Sequence, residues 1–193
     1  MTNEELSLKT KQSLAAALKN AMGTQKLSKI TVSELCAVCN VNRKTFYYHF
    51  HDIYDLLKWM LEQEAVEVVK NFDFIVNTEE AIRFVMDYAT QNNHIINGAF
   101  DSMGYEEIKL FFYNDIFSVI YSAVEQVEKE LNVQLEPSFK NFLADFYTEA
   151  SAGLLINWTK SKMSQYKEDV LQNLLTIFKI SMPAILSNKG VPL

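Results

Sequence analysis

Apolar residues recur at three- and four-residue spacings almost from one end of this chain to the other, and that regularity fixes the class of fold. Glycine (5) and proline (3) are scarce among 193 residues, and the two-residue alternation of strands is hard to find, so the chain reads as all-α. Leu8 to Met22 forms a first helical pattern with Leu14, Leu18 and Met22 on one face, stopped by Gly23. Thr31-Val-Ser-Glu34 matches a capping box and starts a short helix over Val32 to Val38. Asn42 can cap a second, Arg43 to about His49, and Asp52 a third that continues to about Asn71. Four longer patterns follow: Glu79 to about Ile96, Tyr105 to about Leu131, Pro137 to about Lys162 and Tyr166 to about Leu186. Pro137 suits a first helical turn, whereas Pro183 should kink or end the last helix.

Charge divides the chain more sharply than its net value of −6 suggests. Residues 1–50 hold seven Lys/Arg against three acids, a net of +4, and the remainder holds 11 against 21, a net of −10. A basic end on an acidic body suggests a nucleic-acid-facing module carried by something that does not touch nucleic acid. No apolar run approaches a membrane span, the N-terminal stretch is polar, and two cysteines cannot make a disulfide framework. A reduced, cytoplasmic protein with no membrane partner is the expectation. Enzyme signatures are missing too: there is no glycine-rich phosphate loop, no nucleophile elbow, and only three histidines.

The stretch TVSELCAVCNVNRKTFYYHF, Thr31 to Phe50, carries the chemistry. Cys36-Ala-Val-Cys39 would need two more ligands to hold zinc, and His49 and His51 are separated by one residue where finger-type pairs use three to five. The cysteines therefore read as small packing residues; no metal and no cofactor is expected. A capped helix, a turn at Asn40 and a second short helix make a helix-turn-helix, with Asn40 as the residue that tolerates positive φ. Phe46 and Phe50, four apart, belong to the core; Lys44, Tyr47 and Tyr48 point away from it, with Arg43 at the exposed edge. Arginine and lysine can donate to guanine O6/N7, and hydroxyls of Thr45 and the tyrosines can reach phosphates.

These residues, with HDIYDLLKWML behind them, resemble the N-terminal DNA-binding domain of the TetR/AcrR family, over roughly residues 8–60. The resemblance implies a three-helix helix-turn-helix domain, residues 1–53, and a helical bundle that binds an effector and dimerises, residues 54–193. It implies that Ser33 and Asn42 touch phosphate or sugar, that Arg43, Lys44 and Thr45 face base edges, and that Tyr47, Tyr48 and His49 lie along the backbone and groove wall. One position departs from the pattern. The family often has a lysine at the start of the next helix, where this chain has Ile53. That substitution removes a phosphate contact and keeps open a co-regulator of the same fold that reads DNA poorly. The segment Ala152-Gly-Leu-Leu-Ile-Asn-Trp158, with Ser161 and Ser164-Gln-Tyr-Lys after it, resembles a subgroup that includes regulators of dihydroxyacetone kinase operons, as does Phe50-x-Asp52-x-Tyr54-Asp55-Leu56.

In the body, Phe142, Phe146, Ala150 and Gly153 line one stripe, and Leu171, Leu174 and Phe178 another. Two such helices from each of two subunits would build a four-helix dimer interface; alternatively both stripes face the internal core. Phe84, Tyr88, Phe117 and Tyr121 could wall an effector pocket or simply pack, and His94 could anchor a ligand or sit at a helix end. The implied whole is a homodimeric repressor on a palindromic double-stranded DNA operator, released by a small-molecule effector.

Overall fold

The structure, a computed structural model, describes residues 2–66, 74–161 and 166–192. Nine α-helices are found among the described residues, with one two-stranded ladder of two residues per strand. They are α1 (Asn3–Met22), α2 (Val32–Val38), α3 (Arg43–His49), α4 (Ile53–Leu61), α5 (Phe74–Gln91), α6 (Asn93–Met103), α7 (Tyr105–Leu131), α8 (Pro137–Lys160) and α9 (Lys167–Lys189). The expected ends of the connecting helix near Asn71 and of α8 at Lys162 lie outside the described residues, as does Ser164. The chain divides into two compact units, residues 1–67 with 92–104, and residues 68–91 with 105–193.

In the first unit α1 begins five residues before the apolar pattern does. Thr2 accepts from the Glu5 amide at 3.2 Å while the Glu5 carboxylate accepts from the Thr2 amide at 2.8 Å, and this capping box extends the helix through polar residues. Leu14, Leu18 and Met22 are buried on its inner face. α2 opens with the expected capping box on Thr31, and Asn40 ends it in the left-handed conformation, φ 52°. Asn40 N–H donates to the Ala37 carbonyl and Val41 N–H to that of Cys36, the paired bonds of a Schellman closure. A β-branched residue at position 40 meets a steric cost of about 1–2 kcal/mol in this conformation. Asn40→Val should therefore destabilise the first unit by that amount and Asn40→Gly should not, as urea unfolding of the two variants will show.

α4 and α6 belong to the same unit. Leu56, Leu57, Met60 and Leu61 are buried, and α4 packs on α1, so the head does not stop at residue 53. The pattern expected to run from Glu79 to Ile96 breaks at Asn92, and α6 is a separate helix that buries Ile95, Ala99 and Phe100. α6 lies against α1, where a β-carbon on Gly98 would come within 3.3 Å of the Met22 methyl. Gly104, φ 83°, ends it in a backbone conformation that favours glycine.

The second unit is built on α7 and α8, joined through Asn132 (φ 53°) and β1 (Val133–Gln134). Glu128 is buried beside this corner; its carboxylate accepts from the Leu135 amide at 2.6 Å and from the Lys140 ammonium at 2.6 Å, so the charge is paired on both oxygens. Ile120, Val124, Leu143, Tyr147, Leu174, Phe178, Met182 and Leu186 form the core. α9 continues through Pro183 to Lys189, so the proline does not end it. By length and composition α9 could cross a membrane, contrary to the sequence reading, and one of its faces, Leu171, Leu174, Leu175, Phe178, Met182 and Leu186, is buried in the unit. β2 (Val191–Pro192) pairs antiparallel with β1, and Gly190 permits this because a β-carbon there would lie 2.7 Å from Val133 and from the Leu186 carbonyl. α5 is tied to the start of α9 by ion pairs from Arg83 to Glu168 and Lys167 to Asp87, each at 2.5 Å.

Candidate nucleic-acid interface

α3 is short, and its orientation is fixed by what it buries. Phe46 is fully buried and Phe50 nearly so, their rings 5.9 Å apart, and Phe50 meets Trp59 of α4 at 5.9 Å. The Lys11 ammonium of α1 sits 5.7 Å from the Phe50 ring and 5.5 Å from that of Trp59, a cation over two aromatic faces. With that face locked inward, Arg43, Lys44, Tyr47 and Tyr48 are all exposed, Tyr48 by 81%. Ser33 is exposed in the first turn of α2. These positions bring three kinds of donor to one surface: a guanidinium, an ammonium and phenol hydroxyls.

Two residues expected to contact DNA are partly committed inside the protein. The Asn42 side-chain oxygen caps α3, accepting from the Thr45 amide at 2.8 Å and the Thr45 hydroxyl at 3.1 Å. The exposed Asn42 still has its amide NH₂ to donate, whereas Thr45, half-buried, has its hydroxyl proton directed at Asn42 and offers lone pairs and a methyl group instead. Ile53, also half-buried, supplies no cation at the start of α4.

His49 is half-buried at the end of α3. Burial, and then the neighbouring Lys11 ammonium, push its imidazole below the usual value. Above the unfolded histidine's ordinary value near 6.5 both states are neutral and the fold is unpenalised. As pH falls through that value the unfolded chain binds the proton first, and stability is lost until the folded imidazole also titrates. His49→Gln should therefore flatten the loss of stability between about pH 7 and pH 5 in urea unfolding; identical pH slopes for the two proteins would refute it.

Cys36 is buried and the Cys39 thiol points at the Ser13 carbonyl, 3.3 Å away; both are free.

The interface residues expected in the second unit separate into two groups. Phe142 and Phe146 of α8 are 62% and 56% exposed, with Ala150 exposed and Gly153 open to its surroundings. Leu171, Leu174 and Phe178 of α9 are buried within their own unit, the internal-core alternative given for that stripe. α9 carries a second apolar edge that the sequence reading passed over, Ile177 and Ile180, 51% and 67% exposed. Next in sequence to Phe146 and Ile177, Tyr147 of α8 stacks on Phe178 at 5.0 Å and its hydroxyl meets that of Ser181 at 2.6 Å.

His94 is exposed in the first turn of α6 and does not line an apolar cavity. Phe84 and Tyr88 are half-buried on α5. Tyr113, Phe117 and Tyr121 stack in series along α7 at 6.4 and 5.7 Å, and the latter two pack on the core. Thr148 of α8 is fully buried, and its hydroxyl finds no hydrogen-bond partner among the described residues.

Comparison with known proteins places these units in a context. A family model described as a transcriptional regulator C-terminal region, TetR_C_8, matches residues 76–179. The chain is 24% identical over 90 residues to the HTH-type dhaKLM operon transcriptional activator DhaS of Lactococcus lactis subsp. lactis (strain IL1403). That match covers 47% of this chain and 48% of the relative, about half the length of each. Among solved structures, the dihydroxyacetone kinase operon activator DhaS has the same fold, with a TM-score of 0.71, 16% identity, and coverage of 94% of this chain and 98% of that one.

Proposed function

The chain belongs to the TetR family of transcriptional regulators, and from that premise we propose that it is a cytoplasmic homodimer whose paired α3 helices read a two-fold symmetric DNA operator. The observation that carries the reading is the division of α3: Phe46 fully buried, Arg43, Lys44, Tyr47 and Tyr48 exposed. Such a helix presents bidentate donors to base edges, with the Tyr48 hydroxyl beside them in reach of phosphate. The family is one of regulators and not of enzymes. Dimerisation is supported by the exposed edges beside the Tyr147–Ser181 seam, which would close on their symmetry copies as a four-helix bundle.

The second unit is the effector-binding half. Its half-buried Phe84, Tyr88, Phe117 and Tyr121 supply apolar walls, and the unpaired Thr148 hydroxyl leaves a cost of about 1–3 kcal/mol that a polar ligand group could remove. An effector that prefers the dimer with its α3 helices off register shifts the population away from the DNA-bound state by its differential affinity for the two. Whether that represses or activates depends on where the operator lies relative to the promoter.

Selection of bound fragments from a random duplex library tests the reading. Wild type should enrich a motif with two-fold symmetry, and a folded variant carrying Arg43→Ala, Lys44→Ala and Tyr47→Ala should enrich none. A folded wild type that enriches nothing at low salt would favour the co-regulator reading, for which Ile53 is the supporting residue.

A further inference from the structure

Arg43 and Tyr47 lie one helical turn apart on the exposed edge of α3 and are in contact with each other. The Arg43 guanidinium donates to the Tyr47 hydroxyl at 3.3 Å, and its central carbon sits 5.8 Å from the centre of the Tyr47 ring. Tyr47 is itself held: its ring meets the buried Phe46 ring edge-on at 5.5 Å with an interplanar angle of 85°. The chain of support therefore runs from the core through Phe46 and Tyr47 to a guanidinium that would otherwise be a long, freely rotating side chain. Lys44, the next residue, lies over no aromatic ring among the described residues. A guanidinium braced through one nitrogen and one face keeps its remaining N–H groups for a planar acceptor pair, the geometry that guanine O6 and N7 present.

We propose that Tyr47 is a positioning residue for Arg43, so that the two side chains read one base pair as a unit. The inference rests on operator reading by α3 and adds to it a division of labour along the helix. Arg43 makes the base contact, Tyr47 fixes where that contact falls, and Lys44 acts independently. Pre-ordering removes part of the rotamer entropy that an unbraced arginine loses on binding. It also penalises duplexes that place another base pair beneath the guanidinium, because the brace limits how far the side chain can follow.

The experiment is a double-mutant cycle on base discrimination. Each of wild type, Tyr47→Phe, Arg43→Ala and the double variant is titrated against the selected operator and against operators altered at one base pair of each half-site. Discrimination is the ratio of the two dissociation constants, and salt dependence is recorded for every pair. Phenylalanine keeps the ring and its contact with Phe46, and the site is exposed, so circular dichroism should show an unchanged fold. We expect Tyr47→Phe to cost about fivefold to tenfold in discrimination at the single base pair that Arg43→Ala also relaxes, and to cost nothing further there once Arg43 is alanine.

An equal loss with and without Arg43 would show that the two act independently and would overturn the pairing. So would a uniform loss of affinity on every duplex with the salt slope unchanged, which would mean that the neutral Tyr47 hydroxyl touches phosphate. If wild type itself discriminates among no base pairs, the operator reading fails and this inference fails with it. Those outcomes are separable because the first two require a wild type that does discriminate.

Discussion

Alanine at both Arg43 and Lys44 will weaken binding to the selected operator by at least roughly thirtyfold per half-site while leaving the protein folded. Each good bidentate base contact contributes about 1–3 kcal/mol of discrimination, so two contribute about 2–6 kcal/mol, and every 1.4 kcal/mol is tenfold in affinity. Both side chains are exposed and neither supports the core, which is held beneath α3 by Phe46 and Phe50. The thermal midpoint should therefore stay within the range of an ordinary surface change. Loss of two cations per half-site also lowers the salt dependence, by about 0.9 for each phosphate no longer neutralised. Fluorescence anisotropy at several salt concentrations reads both quantities. An operator affinity that falls no further than that for random duplex would mean that α3 holds DNA without reading it.

The second large effect concerns the proposed homodimer. Aspartate at Phe146 and Ile180 should split the dimer into folded monomers, because both side chains project from the protomer and neither fills its core. Sedimentation should give the mass of one chain, and operator affinity should drop by about 10²- to 10⁴-fold, the advantage of holding two half-sites with one body. Leu174→Ala supplies the contrast. That side chain is 5% exposed within the core of its own unit, so its truncation should cost about 2–5 kcal/mol of protomer stability. Were the Phe146/Ile180 variant to remain dimeric and tight on DNA, the interface would lie elsewhere on the body.

The pair of predictions shows where periodicity informs and where it stops. Local chemistry was plain in the sequence: the Thr31 capping box, the positive φ at Asn40 and the inward Phe46 all follow from residue types at fixed offsets. The early start of α1 was equally legible, since Thr2 and Glu5 repeat the same capping spacing, but no apolar face marks those residues. α9 was harder because it carries two apolar edges. The richer one, Leu171, Leu174 and Phe178, is claimed by the subunit's own core and leaves Ile177 and Ile180 outside. A helical period reports that a face is apolar and does not say what covers it. The break at Asn92 escaped notice for a similar reason, because the three-and-four spacing carries on into Ile95 and Ala99 although the backbone restarts there. Coupling between Arg43 and Tyr47 follows from four-residue spacing, yet only the coordinates show the guanidinium turned toward the ring.

The return of residues 92–104 to the first unit bears on how such regulators can be recombined. The first unit is discontinuous: residues 1–67 are joined by α6, which places Ile95, Ala99 and Phe100 in its interior. A chimera made by a single cut after the helix-turn-helix would take the reading surface but leave behind a wall of the structure that holds it. Exchange of operator specificity between relatives is therefore best made either on α3 alone, at exposed positions, or with α6 transplanted alongside the first 67 residues.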